Sequence, residues 1–159
     1  AAGVVVETRQ LLAAGRTAGV GCALVRMSWR RLAQAVLVAC PDGSFEMTIT
    51  GDEVAQGKPH PEPYEAAARA LGVDPAECVA IEDSRTGVAS ALAAGCATLG
   101  VPHVFQLDPA PNLPIRTSLV AVTVRDLRAL VGCLRLHRQS TLHIGRWAMT
   151  LDLSIILIC

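Results

Sequence analysis

Aromatic and charged residues are both scarce in this sequence. Of its 159 residues, 3% are aromatic and 18% are charged, whereas 52% are hydrophobic. The 14 basic residues balance the 14 acidic ones, so the sequence lacks the positive excess that binds nucleic acid or anionic membrane surfaces. A chain this apolar can bury a core and is not disordered throughout. We therefore expect a folded domain without a nucleic-acid partner.

The sequence also lacks a convincing membrane segment and closely spaced cysteine pairs. Its longest stretch without Asp, Glu, Lys or Arg, residues 86–107, is interrupted by glycines and a proline, which favours a helix followed by a buried strand over a membrane span. The six cysteines form no C-x-x-C pair and share no metal-ligand spacing with the four histidines. Reduced thiols are therefore expected, and these favour a cytoplasmic location.

Helical and strand patterns alternate along the chain. Apolar runs at 22–25, 78–81 and 97–101 suit buried parallel strands. A weaker strand is expected over 45–50, and helices are expected over 8–18, 28–39, 62–71, 86–94 and 124–136. The connections are too long for hairpins. The pattern therefore predicts an α/β fold, a parallel sheet with flanking helices.

Two adjacent acids, Glu82 and Asp83, follow the apolar run at 78–81, and Ser84 and Gly87 then begin a helix. In open parallel sheets, ligands bind beyond the carboxyl ends of the strands. Mg²⁺ is usually held by one or two carboxylates together with phosphate and water oxygens. The acid pair therefore indicates a metal-dependent phosphate site. The alternative is that Asp83 or Ser84 only caps the helix.

Lys58 lies in the segment G-K-P-H-P-E-P, residues 57–63, directly before the helix predicted over 62–71. Helix N-termini attract anions, and an ammonium group there can neutralise a phosphoryl oxygen. The alternative is an ordinary surface lysine.

The order and spacing of these segments resemble a known family. G-K-P-x-P-x-x-Y, a helix and then h-E-D-S-x-x-G resemble the second half of the haloacid dehalogenase-like hydrolases, in the phosphatase and β-phosphoglucomutase-like branch. The similarity is close over residues 50–101 and looser over 7–131. It implies a Rossmann-like sheet and Mg²⁺-dependent hydrolysis of a small phosphorylated metabolite. It also implies that Lys58 steadies the nucleophile and the transferring phosphoryl group, and that Glu82 and Asp83 hold Mg²⁺.

One element of the family pattern is missing. The family's nucleophile is the first Asp of D-x-D-G-[TV], and no D-x-D occurs in these 159 residues. In the family that motif ends the first strand, which lies mid-sheet between the strands matching 22–25 and 78–81, and a cap domain follows it. The resemblance therefore implies that residues 1–136 are an N-terminally truncated core domain. We expect its inner sheet edges to be open and to favour self-association. Residues 137–159 form an apolar tail of unknown role.

A second element is altered. After the strand at 22–25 the family has a Ser or Thr that binds the phosphoryl group, whereas this sequence has Arg26, with Ser28 two residues later. Arginine binds phosphate with two donors but does not reproduce the geometry of a short hydroxyl. Ser28 is better suited to cap the next helix. The segment C-P-D-G-S at 40–44 resembles the nucleophile loop only superficially and is expected to be a turn.

These observations leave three functional hypotheses. The first is a Mg²⁺-dependent phosphatase, of which this chain alone is inactive because the nucleophile is absent. The second is a non-catalytic remnant or interaction module that binds Mg²⁺ weakly at most. The third is β-phosphoglucomutase-like phosphotransfer in the parent protein. In this branch the cap largely selects the substrate, so the sequence does not identify the metabolite.

Overall fold

The computed structural model describes residues 2–139 and 154–157, with side-chain positions described for residues 7–136. The described residues form a five-stranded sheet with helices on both faces. The helices are α1 (Ala2–Thr17), α2 (Arg30–Ala39), α3 (Glu62–Leu71), α4 (Arg85–Ala94) and α5 (Val124–Gln139). The strands are β1 (Gly21–Arg26), β2 (Met47–Thr50), β3 (Cys78–Glu82), β4 (Ala97–Gly100) and β5 (Ser154–Leu157). The predicted α/β class is confirmed.

The strands lie in the order β2-β1-β5-β3-β4, and every pair is parallel. The last strand along the chain, β5, lies at the centre of the sheet: Ile155 is in register with Cys22 of β1 and with Val79 of β3. The prediction of open inner edges on these two strands is therefore wrong. The physical reason is that a short run of isoleucine and leucine suits a buried parallel strand, and both edges supply it with backbone partners. Residues 1, 140–153 and 158–159, which include most of the predicted tail, lie outside the described residues.

The sheet separates two apolar layers because successive strand residues point to opposite faces. One layer contains Cys22, Val79 and Ile81 together with residues of α1 and α5; the other contains Ala23, Val25 and Ala80 together with residues of α3 and α4. The helix residues of the first layer include Leu11, Leu12, Leu127 and Val131, and those of the second include Tyr64, Ala67, Ala68 and Ala91. This layering fixes α3 and α4 against the strands that lead to the predicted site.

Glycine and proline residues account for the ends of several helices and for one turn. Helices α3 and α4 end at Gly72 and Gly95 as predicted, and α5 continues to Gln139, beyond its predicted end at residue 136. Segment 40–44 is a turn in which the Ser44 amide donates to the Pro41 carbonyl at 3.1 Å, which confirms that prediction.

The predicted N-cap of α2 is wrong. Trp29 occupies the cap position with extended backbone, and none of the described side chains caps this helix. The hydroxyl of Ser28 instead accepts a hydrogen bond from Nε of Arg26 at 2.9 Å. A guanidinium donor two residues away competes successfully with the helix amides for this hydroxyl.

The outer edge of β4 is covered at its last residue, Gly100. The Gly100 amide donates to the Pro114 carbonyl at 2.9 Å, and the Arg116 amide donates to the Gly100 carbonyl at 2.8 Å. A segment bonded to an edge residue hinders strand addition from another molecule at that position. Within residues 2–139 and 154–157, no helix is long and apolar enough to cross a membrane.

Candidate functional site

A cleft of about 420 Å³ lies where β1 and β3 end. Because the two strands belong to one parallel sheet, their carboxyl ends lie at the same edge, where α/β proteins bind ligands. The cleft is lined by Arg26, Met27, Ser28, Lys58, Asp83, Ser84 and Thr86. The structure thus brings together four of the five residues predicted from the sequence. The fifth, Glu82, is buried next to them, with 1% of its surface exposed.

Lys58 is not an ordinary surface lysine. Its side chain is 6% exposed, and Nζ donates to Oε1 of Glu82 at 2.8 Å and to the Val25 carbonyl at 3.2 Å. Burial lowers the pKa of Lys58 below its usual value, and the negative charges of Glu82 and Asp83 oppose that shift. The ammonium group is therefore held by hydrogen bonds to the protein interior and also lines the cleft.

Glu82 ends β3 and accepts hydrogen bonds on both carboxylate oxygens. Oε1 accepts from Nζ of Lys58 and from the hydroxyl of Tyr64, and Oε2 accepts from the hydroxyl of Ser84 at 3.3 Å. A buried carboxylate is tolerated only when it is paired and hydrogen-bonded, and these donors meet that condition.

Tyr64 is a site residue whose role the sequence does not indicate. It lies in the first turn of α3, its side chain is fully buried, and the Lys58 ammonium lies 5.3 Å from the centre of its ring. Burial, followed by the charge of Glu82, raises the pKa of Tyr64 well above its usual value, so the hydroxyl keeps its proton and acts as a donor. The signal in the sequence was the tyrosine that ends the segment G-K-P-x-P-x-x-Y, the only tyrosine in the chain.

The start of α4 explains the rest of the E-D-S-x-x-G pattern. Ser84 is the N-cap and accepts from the Gly87 amide at 3.1 Å, so the capping alternative is confirmed for Ser84. The α carbon of Gly87 packs against Glu82: a β carbon at residue 87 would lie between 1.8 and 2.1 Å from the carboxylate atoms. Only glycine allows this approach of helix and carboxylate.

Arg26 and Ser28 form one polar wall of the cleft. They are joined by the Nε–Oγ hydrogen bond already described, so the serine hydroxyl and the guanidinium act as a unit. Lys58 and the first turn of α4 lie on the same cleft. Two cationic side chains and a helix N-terminus form an environment suited to an anion.

The acids do not fit a Mg²⁺ site in which both are ligands. Glu82 is engaged by three donors from the protein, whereas Asp83 is half-buried and, among the described residues, makes no side-chain hydrogen bond or ion pair. Within the same part of the chain, no three His, Cys, Asp or Glu side chains are close enough together to hold a metal ion. Asp83 is therefore the carboxylate of the pair that is available to a cation.

Comparison with known proteins identifies the family. A family model described as haloacid dehalogenase-like hydrolase matches residues 2–95. The chain is 38% identical over 107 residues to the protein CbbY of Rhodobacter capsulatus, a match that covers 65% of this chain and 47% of that protein. It is 31% identical over 88 residues to phosphoglycolate phosphatase of Escherichia coli, covering 55% of this chain and 34% of the phosphatase.

A solved structure has a similar fold over part of its length. CbbY of Rhodobacter sphaeroides, in complex with xylulose-1,5-bisphosphate, superimposes with a TM-score of 0.67 at 28% identity, covering 74% of this chain and 56% of that one. The chain spans about half, or less, of the length of the curated relatives described here. Since the family model matches more than half of its residues, the chain belongs to the haloacid dehalogenase-like hydrolases.

Proposed function

We propose that this chain is the phosphoryl-binding part of a phosphatase that acts on a small phosphorylated metabolite, and that the cleft between β1 and β3 binds the phosphoryl group. The observation that carries the proposal is the buried Lys58, whose ammonium is anchored to Glu82 and lines an anion-suited cleft. The ligand of one relative and the name of another, xylulose-1,5-bisphosphate and phosphoglycolate phosphatase, also point to phosphate esters of small metabolites.

The described residues supply binding and charge neutralisation. An ammonium group has three N–H donors, and those of Lys58 reach Glu82 and Val25, which leaves one for a phosphoryl oxygen in the cleft. Arg26 adds positive charge on the same cleft. Interactions of this kind stabilise the charge that develops during phosphoryl transfer.

The described residues do not supply a nucleophile. No D-x-D motif occurs in the sequence, and Lys58, Arg26 and Asp83 hold charges rather than attack phosphorus. Removal of a nucleophile is not compensated by residues that only bind and orient the substrate. We therefore expect the 159-residue polypeptide to bind phosphate without hydrolysing its esters. Mg²⁺ dependence and a cytoplasmic location stay predictions, from the family resemblance and the cysteine pattern respectively.

Two measurements test the proposal. The 159-residue chain is titrated with inorganic phosphate by calorimetry, and the product of the complete reading frame that encodes it is assayed for phosphate release from 2-phosphoglycolate and xylulose-1,5-bisphosphate with Mg²⁺. The double variant Lys58→Met/Glu82→Gln removes the ammonium without leaving a buried carboxylate unpaired, and it should lose phosphate binding. Arg69→Met, which removes a charge from the exposed face of α3, should retain phosphate binding.

Other outcomes would favour the other hypotheses. Conversion of one sugar phosphate into its isomer without phosphate release would indicate β-phosphoglucomutase-like phosphotransfer. No affinity of the 159-residue chain for phosphate would contradict the proposed cleft and favour a non-catalytic remnant. Hydrolysis by the 159-residue chain that is abolished by Asp83→Asn would contradict the expected inactivity.

A further inference from the structure

A second cavity adjoins the cleft and lies between α1 and α2, away from Lys58 and the acid pair. Its volume is about 420 Å³, and we call it the α2 groove. Its lining includes Thr8 of α1 together with Leu32, Ala35, Val36 and Ala39 of α2. Cavities of this size with mainly apolar walls and few polar groups are typical binding sites for small organic molecules.

The wall that α2 contributes is one apolar face of that helix. Its four residues follow the i, i+3, i+4, i+7 spacing that places side chains on the same side of a helix. Among the described residues of α2 only Ala33 is buried, and Leu32 is 59% exposed. A helix normally packs such a face against the core, a ligand or a partner. Within the described part of the chain, this face is left open along the groove.

Arg26 joins the α2 groove to the cleft, because it lines both cavities. Its Nε donates to Oγ of Ser28 at 2.9 Å, and Ser28 lines the cleft, so the charged end of the side chain lies on the cleft side. The stem of an arginine side chain is apolar. Arg26 is also the only charged residue in the described lining of the groove. A cationic, polar cavity and an apolar one therefore meet at a single side chain.

The chemistry of the two cavities selects the occupant of the α2 groove. An anion in the cleft lies next to Arg26, so the organic group attached to that anion is within reach of the groove. The α2 wall offers no side-chain hydrogen-bond partner to a hydroxyl group, and burial of a hydroxyl without a partner is unfavourable. Burial of methylene groups against the same wall is favourable. Charge and polarity together fit a molecule with an anionic head and an apolar organic part.

We propose that the α2 groove binds the apolar organic part of a phosphate ester whose phosphoryl group lies in the cleft, with Arg26 at the junction. The inference rests on the proposed function and deepens it, because it names the substrate class as phosphate monoesters of alkyl or other apolar alcohols. Helix α2 is then the element that discriminates between organic groups, while Lys58 and Arg26 bind the phosphoryl group that all such esters share.

The first test titrates the 159-residue chain by calorimetry with methyl, butyl, hexyl and octyl phosphate, each below its critical micelle concentration. Each methylene buried against an apolar wall raises affinity by up to about fourfold, so octyl phosphate should bind more than about thirtyfold tighter than methyl phosphate. Glycerol 1-phosphate, whose organic part is polar, should bind no tighter than methyl phosphate. Equal affinities along the alkyl series would overturn the proposal.

Octyl glucoside has the same apolar tail without the negative charge, and it tests whether the anion is needed. It should bind more than about tenfold more weakly than octyl phosphate, because it lacks the charge-assisted hydrogen bonds that a phosphoryl group makes with lysine and arginine. Equal affinity for octyl glucoside and octyl phosphate would show that the groove is only an apolar surface, and it would overturn the proposal.

Variants of α2 test where the tail lies. Ala35→Leu places a larger side chain in the groove and should weaken octyl phosphate binding more than about tenfold, with affinity for inorganic phosphate unchanged. Val36→Thr replaces a methyl group by a hydroxyl of similar size and should weaken octyl phosphate binding about threefold; it decides the matter if Ala35→Leu does not fold. Val38→Leu is the matched control, because Val38 is exposed on the same helix and is not among the described lining residues. An equal loss in Val38→Leu and Ala35→Leu would contradict the proposal.

The outcomes separate this inference from the proposed function. If inorganic phosphate and octyl phosphate bind with equal affinity, the groove proposal fails and the proposed cleft stands. If inorganic phosphate does not bind, whereas octyl phosphate binds and loses affinity in Ala35→Leu, the proposed function fails and the groove stands as a site for amphiphilic anions. Self-association of the parent chain that Ala35→Leu abolishes would assign the α2 face to a second copy of the chain and overturn the proposal.

Discussion

At the scale of single residues, the close approach of Gly87 to Glu82 explains why a glycine follows the acid pair. The contact joins the first turn of α4 to the end of β3, and Ser84 closes the same turn from the other side. The position of the buried carboxylate therefore depends on the absence of one β carbon. It also determines where Lys58, its partner in the ion pair, can lie.

Gly87→Ala is expected to destabilise the protein by about 1–3 kcal/mol, the usual cost of forcing an extra carbon into a packed site. Gly132→Ala is the matched control, because residue 132 also lies in a helix and a β carbon there would meet none of the described atoms within 4 Å. That variant should gain about 0.5–1 kcal/mol from improved helix propensity. Urea unfolding of both variants measures the difference, and similar values for the two would contradict the packing argument.

Glu62 makes the free energy of unfolding depend on pH. The direction of that dependence follows from the hydrogen bonds that its carboxylate accepts. Its carboxylate oxygens accept from the Ala55 and Gln56 amides, each at 2.8 Å. The Ala55 amide is the largest cause holding the pKa of Glu62 below its usual value, and the Gln56 amide adds to it. The carboxylate therefore stabilises the fold above its unfolded-state pKa, and this contribution is lost as the pH falls through the lower folded-state pKa.

Glu62→Gln should therefore lower the free energy of unfolding at pH 7 and make it fall less steeply between about pH 5 and pH 3. Glu65→Gln is the control from the same helix, since Glu65 makes no side-chain hydrogen bond among the described residues. Urea unfolding over a pH series gives both profiles. A decline at low pH that is as steep in Glu62→Gln as in the parent would show that these amide contacts do not determine the stability.

At the scale of elements, β5 is the feature on which the sheet depends, because it pairs with β1 on one side and with β3 on the other. Ile156→Pro removes an amide from a strand that has neighbours on both edges, and buried backbone groups left without partners cost about 1–3 kcal/mol each. Ile156→Val retains the backbone and should cost no more than about 1.5 kcal/mol.

Thiol labelling measures whether the substitution in β5 exposes the neighbouring strands. Cys22 and Cys78 are buried opposite β5, and burial, with a smaller contribution from Glu46, raises the pKa of Cys22 to about 11. Both should react slowly in the parent and in Ile156→Val, and faster in Ile156→Pro. The exposed Cys133 should react equally fast in all three. Unchanged protection of Cys22 in Ile156→Pro would show that β5 does not hold this part of the sheet.

Local patterns predicted the elements whose ends are marked by residues that start or stop a helix. Helix α3 begins and ends where prolines 61 and 63 and Gly72 indicate, and the strand at 78–82 follows from one apolar run. The position of β5 could not be predicted, because strand pairing depends on open edges contributed by residues far away in sequence. The cap of α2 was wrong for a related reason: Arg26 provides Ser28 with a stronger partner than the helix amides do.

The sequence predicted which residues lie at the site but not which of them contact one another. The strand patterns placed Arg26 and Asp83 at one sheet edge, because parallel strands end on the same side, and the family resemblance added Lys58 to them. The sequence did not indicate that Glu82 lies beneath that edge, since burial depends on how α3 and α4 pack. Tyr64 was in the motif, and only the packed structure shows which oxygen its hydroxyl contacts.

At the scale of the whole molecule, the expectation of self-association now depends on β5. The two inner edges that motivated it are paired with β5, and residues 114–116 cover the outer edge of β4 at Gly100. Edges that are paired or covered do not recruit another chain, whereas long unpaired edges do. A chain shortened to residues 1–153 would regain two unpaired edges in the middle of the sheet. It should therefore sediment as oligomers or precipitate at concentrations where the 159-residue chain sediments as a smaller species.

Sedimentation velocity at several concentrations compares the two chains, with Ile156→Val as the control that keeps β5. The shortened chain should also unfold at lower urea concentration, because β1 and β3 each lose a neighbouring strand. If residues 1–153 instead form a monomer with the unfolding midpoint of the parent, the sheet does not require β5.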